Sequence, residues 1–137
     1  MGGVKEKSVV DSGNFISCDT KIILVDGENS GEIFTACEDG YMGSTFRALE
    51  IRNIDVAFFC YFVSTQKEHY GKNKRGSTIP HLNKDLFYST PIPLPPLSEQ
   101  KRIVARLDSL FEKLDAAAEI LQAILAGGEL RRSAMLL

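Results

Sequence analysis

From Ile103 to Ile124, apolar residues recur at alternating intervals of four and three: Ile103, Leu107, Leu110, Leu114, Ala117, Leu121 and Ile124. That spacing is the seam of a coiled-coil helix, and Val104, Phe111, Ala118 and Leu125 widen it into a broad apolar stripe. A helix from Ser98 to Ala126 would be roughly 43 Å long at ~1.5 Å per residue. Ser98 is the expected N-cap, its hydroxyl accepting from an unpaired amide of the first turn, and Glu99 is favourably placed beside it. Gly127-Gly128 interrupts the pattern, costing about 2 kcal/mol relative to alanines. Leu130, Ala134 and Leu137 resume it in shifted phase. The stripe either packs on the preceding domain or meets a partner. A body of 97 residues is roughly 25–30 Å across by compact-chain scaling, so a helix of this length overhangs it and favours a partner.

A proline joint precedes the helix. Four of the five prolines lie between Ser89 and Leu97, and proline fixes its own φ and restricts the residue before it, which predicts a stiff extended stretch. Pro93 to Pro96 formally fits a PxxP ligand, yet Leu94 and Leu97 favour a rigid buried joint. The joint divides the chain into residues 1–95, a mixed module, and residues 96–137, the helix. In the first part Lys21–Val25 is a β-branched run, Asp26-Gly27 and Ser30-Gly31 are turn signals, and Glu32–Ala36 returns as a strand. Ser44–Ile51 reads as a third strand. Asp55 caps a helix through Ala57, Phe58, Tyr61 and Phe62, although this run is apolar on all sides and fits a buried strand equally. Residues 64–78 are polar with two glycines and read as a loop. The expected fold class is α+β: a strand-rich module followed by one long amphipathic C-terminal helix.

Composition excludes several classes. Of the 137 residues, 44% are hydrophobic and 25% charged, which supports a globular core. No apolar run approaches the ~20 residues of a membrane span. No charged-then-apolar leader opens the chain, so no secretory signal is expected and the protein is expected in the cytoplasm. Cys18, Cys37 and Cys60 form no CxxC spacing, and an odd number argues against a disulfide framework. With His69 and His81 they carry no nucleophile signature and no zinc-ligand spacing, so neither catalysis nor a metal is expected. Gly27, Gly31, Gly40 and Gly43 match no phosphate-binding loop and read as turn glycines. The net charge of −2 does not point to nucleic acid. Charge is concentrated locally instead: within 64–78, Lys67, Lys72, Lys74 and Arg75 stand against one acid, Glu68, with His69, Tyr70, Asn73, Ser77 and Thr78 adding hydrogen-bonding groups. Phosphate contacts use such a mixture of cations, small polar groups and glycine amides. A solvated surface loop has the same composition, and on residues alone that plainer reading is favoured.

The run from Gly76 to Leu114, GSTIPHLNKDLFYSTPIPLPPLSEQKRIVARLDSLFEKL, closely resembles the end of a target-recognition domain in the specificity (S) subunits of type I restriction–modification enzymes. Those proteins have a similar Gly-Ser, Pro-His-Leu-Asn, Ile-Pro-Leu-Pro-Pro-Leu, then acid-Gln-Lys/Arg-Ile and an amphipathic helix. Asp26–Ile33 and Gly43–Phe46 resemble the family more weakly. The resemblance implies a non-catalytic subunit with two recognition domains, each reading one half of a bipartite double-stranded DNA target, held apart by antiparallel helices. It implies assembly with methylation and restriction subunits, and S-adenosylmethionine, ATP and magnesium are expected only on those partners, with no cofactor on this chain. One domain and one helix are present, without the usual opening strands, so the chain is expected to be a fragment of such a subunit. Lys67, His69, Tyr70, Lys72, Lys74, Arg75, Ser77 and Thr78 are the expected DNA-binding set. Ile103, Leu107, Leu110, Leu114, Leu121 and Ile124 are the expected interface of a helix-mediated homodimer. The alternative is an assembly protein whose helix dimerises and whose globular part binds no DNA.

Overall fold

The computed structural model describes residues 13–76 and 80–134, and side chains up to residue 126. The expected contacts Ser77 and Thr78, and the side chains of Leu130, Ala134 and Leu137, lie outside the described residues. The fold is α+β, as the sequence predicts. It divides into two compact units, Met1–Leu94 and Pro95–Leu137.

In the first unit, β1 (Asn14–Ile16) pairs antiparallel with β4 (Gly40–Met42), and β2 (Lys21–Leu24) is the centre of a second antiparallel sheet between β3 (Ile33–Thr35) and β5 (Phe46–Ala48). The expected strands at 21–25, 32–36 and 44–51 are present, each shorter than the span the sequence predicts. The β1–β4 pair was not foreseen. Register follows the period-two pattern of β2: Ile23 stands opposite Ile33 and Arg47, whereas Ile22 stands opposite Phe34 and Ala48, and Leu24 opposite Phe46. Opposed residues share a face. One face therefore turns Ile23 and Ile33 to the core, and the other carries Ile22, Leu24, Phe34, Phe46 and Ala48, with the Phe34 and Phe46 rings meeting edge-on at 6.0 Å. The β2–β3 connection needs left-handed backbone at Gly27 (φ +99°) and Gly31 (φ +101°), where glycine carries no Cβ penalty.

Helix α1 (Val56–Thr65) settles the helix-or-strand ambiguity. Asp55 adopts extended backbone, and its Oδ1 accepts from the Phe58 amide at 3.0 Å, the N-cap geometry. The expected loop at 64–78 is a correction: Ser64 and Thr65 end α1, and Lys67–Lys72 forms helix α2. Two things hold this short polar helix. The Glu68–Lys72 pair spans i to i+4, and Tyr70 is buried, at 2% exposure. A six-residue helix samples its period less than twice, so one anchoring side chain leaves no visible stripe. Helix α3 (Lys84–Ser89) starts at the Asn83 N-cap, whose Oδ1 accepts from the Leu86 amide at 3.3 Å. The core joins Ile23 and Val25 of the β2 segment, Val63 of α1, Tyr70 of α2 and Leu82, with Ile33, Leu49, Phe59, Phe62, Leu86 and Phe87 packed around them.

The second unit is helix α4, Leu97–Ala134. It begins one residue before Ser98, so Ser98 is not its N-cap. The Pro96 carbonyl accepts from the amides of Glu99 and Gln100 at 2.8 and 3.1 Å, and Gln100 Nε2 donates to the Pro95 carbonyl at 2.8 Å. The Pro96 carbonyl, accepting from the Glu99 amide, thus serves where a hydroxyl was expected. The backbone stays helical through Gly127-Gly128, so the apolar pattern breaks there and the helix does not. Ile103, Val104 and Leu107 are half-buried, whereas Leu110, Leu114, Leu121 and Ile124 are exposed. Among the described residues, no helix is long and apolar enough to cross a membrane.

Candidate nucleic-acid interface

Helix α2 and the segment after it present the cations found in sequence. Lys67, Lys72 and Arg75 are each roughly two-thirds exposed, and Lys74 is half-buried. Each is already engaged. Lys67 Nζ lies 2.5 Å from Glu32 Oε1, Lys72 Nζ 2.5 Å from Glu68 Oε1, and Arg75 Nη2 2.8 Å from Asp85 Oδ2. The Lys74 ammonium donates to the Glu28 carbonyl. The sequence shows one acid in this stretch, and folding adds Glu32 and Asp85. The surface is therefore less positive than the run of residues implies. Exposed pairs of this kind are worth about 0–1 kcal/mol, so exchanging a carboxylate for a phosphate costs little.

His69 is exposed, with its ring 6.0 Å from that of Tyr70. Tyr70 is a correction to the expected DNA-binding set: its ring is buried against Phe87 at 5.6 Å, so it holds α2 to the core and is not presented to a ligand. Sequence reasoning also missed the scaffold behind Lys74 and Arg75. Residues 80–82 run antiparallel between the β2–β3 connection and Arg75, with isolated bridges pairing Asp26 with His81 and Arg75 with His81.

Elsewhere the chemistry is sparse. Cys18 and Cys37 are exposed and Cys60 is half-buried, all as reduced cysteines. Burial pushes the Cys60 thiol above its ordinary range, against a smaller lowering by Lys21, which disfavours the nucleophilic thiolate. No group of three potential metal ligands occurs among the described residues. A cleft of about 480 Å³ lies in the first unit, lined mainly by apolar side chains including Leu49, Ile54, Phe59, Phe62 and Phe87.

Residues 2–126 match the family model described as the type I restriction modification DNA specificity domain. The chain is 34% identical over 105 residues to the type I restriction enzyme MjaVIII specificity subunit of Methanocaldococcus jannaschii, a match covering 73% of this chain and 24% of that protein. It is 25% identical over 117 residues to the EcoBI specificity subunit of Escherichia coli, covering 84% of this chain and 24% of that protein. The crystal structure of the type-I restriction–modification system S subunit from M. genitalium is similar in fold. Its TM-score is 0.58 at 24% identity, covering 86% of this chain and 32% of that one. The chain thus spans about a quarter of the length of the relatives it matches.

Proposed function

Because the chain belongs to the type I restriction modification DNA specificity family, we propose that it recognises double-stranded DNA as part of a specificity subunit and performs no chemistry itself. The observation that carries this reading is the family match, which runs from the strand-rich unit into the long helix. Methylation and restriction subunits are its proposed partners, and S-adenosylmethionine, ATP and magnesium belong to them. Lys67, His69, Lys72, Lys74 and Arg75 are the proposed contacts to the DNA backbone, with Ser77 and Thr78 proposed from sequence.

Four cationic phosphate contacts give a log–log salt slope of about −3.6, at ~0.9 per contact. Replacing Lys72, Lys74 and Arg75 by alanine should flatten it to about −0.9, read by fluorescence anisotropy on a long mixed-sequence duplex from low salt upward. A triple variant with the parent's affinity and slope would remove these residues from the interface.

The second part of the proposal is self-association. The exposed Leu110, Leu114, Leu121 and Ile124 of α4 form one side of a helix pair. A second copy, placed antiparallel about a two-fold axis, supplies a self-complementary partner and sets two recognition units at opposite ends. The rival reading, an assembly protein without DNA binding, draws on the acids that fold against the cations. The same titration separates them, since the rival requires no binding at low salt.

A further inference from the structure

The β2–β3 connection holds the Lys74–Arg75 segment through three successive residues. Asp26 Oδ1 lies 2.7 Å from His81 Nδ1. The Gly27 amide donates to the Pro80 carbonyl at 2.8 Å. The Glu28 carbonyl accepts from the Lys74 ammonium. On its other side His81 exchanges both backbone hydrogen bonds with Arg75: its amide donates to the Arg75 carbonyl at 2.7 Å, and the Arg75 amide donates to the His81 carbonyl at 3.0 Å. The Leu82 amide closes the strip on the Val25 carbonyl at 2.8 Å, next to the buried Val25 and Leu82. Asp26, His81 and Arg75 therefore stand in one row across three chain segments. Residues directly opposed in such a row share a face. A carboxylate only accepts, so the imidazole proton sits on Nδ1.

We infer that His81, clamped by Asp26, is a positioning residue that presents Lys74 and Arg75 as a preset pair to the phosphates of duplex DNA. This rests on the DNA-binding reading above. The row fixes the backbone from which Arg75 extends, and Lys74 is held beside it on the same connection. Ordering two long cations in advance lowers the entropy cost of binding. Lys67 and Lys72 belong to α2, which is held by the buried Tyr70 ring and not by the Asp26–His81 contact, so the clamp does not act on them directly.

His81→Ala removes the ring, and His81→Asn keeps a donor at the δ position. In salt titrations of the full chain on a long mixed-sequence duplex, His81→Ala should flatten the slope by about 1.8, the loss of two contacts at ~0.9 each. His81→Asn should restore it. Adding Lys74→Ala and Arg75→Ala to His81→Ala should change nothing further, whereas adding Lys67→Ala and Lys72→Ala should flatten the slope by as much again. A fold merely weakened by the substitution would lower the active fraction without this selectivity. If His81→Ala does not fold, Asp26→Ala cuts the same contact from the half-buried opposite side and must give the same pattern. A parental slope in the clamp variants, or equal coupling to both cation pairs, overturns the inference. Amide hydrogen exchange decides it apart from DNA. Cutting the clamp should speed exchange at Arg75 and His81 and leave residues 67–72 unchanged, and unchanged exchange at Arg75 overturns it. Should the parent bind no duplex while exchange responds so selectively, the DNA-binding reading fails and the positioning role stands.

Discussion

Replacing Leu114 and Leu121 together by glutamate tests the proposed helix pair with little cost to the monomer. Both leucines lie on the 4–3 seam, at 62% and 60% exposure. Leu107, also on the seam, is half-buried and would confound the result. Fully burying a leucine side chain is worth about 1.5–3 kcal/mol, so completing the burial of one already two-fifths covered contributes about 1–2 kcal/mol. A two-fold pair buries each position twice. The double substitution therefore removes about 4–8 kcal/mol of association energy before any repulsion among the carboxylates is added. At 1.4 kcal/mol per tenfold, the dissociation constant should rise by at least about a thousandfold. Sedimentation equilibrium should find the parent dimeric at tens of micromolar and the variant monomeric, with circular dichroism confirming that the variant keeps its helix. A parent that is monomeric at that concentration, or a variant that remains dimeric, would refute the reasoning and assign the stripe another purpose.

Three further substitutions probe the first unit. Tyr70→Ala should destabilise it by about 3–5 kcal/mol, the usual cost of emptying a large aromatic site in a core, measured by urea denaturation; a loss below about 1 kcal/mol would return Tyr70 to the surface set. Asp55→Ala should lower stability by about 1 kcal/mol through loss of the Phe58 amide cap, seen as a lower urea midpoint with an unchanged m-value. Ser30→Ala should be neutral or stabilising by up to about 1 kcal/mol, because the buried Ser30 hydroxyl has no hydrogen-bond partner among the described residues and burying such a group is unfavourable; a marked loss would reveal a partner for it.

Helix α4 was legible because its signal is local and repeated: seven seam positions from Ile103 to Ile124 point the same way, and each turn restates the last. The β2–β3 hairpin was legible for a similar reason, with β-branched residues flanking glycines that only a turn requires. The family resemblance added what no periodicity contains, the expectation of a DNA-reading role. Where signals were single, reading failed or stayed open. Residues 56–65 fitted helix and strand alike until Asp55 was seen in cap geometry. The start of α4 was misplaced by one residue because a proline carbonyl can replace a serine hydroxyl.

The candidate interface divides along the same line. Its cations are a property of sequence: four of them fall between Lys67 and Arg75. What they face is a property of tertiary structure. Glu32 reaches Lys67 across 35 residues, Glu28 reaches Lys74 across 46, and Asp85 reaches Arg75 across 10. Tyr70 sits among the polar residues of the run, yet its ring lies in the core. Side-chain type is decided residue by residue along the chain. Charge density and exposure are sums over neighbours in space, and for this surface two of those neighbours, Glu28 and Glu32, arrive from the distant β2–β3 connection, which no contiguous stretch records.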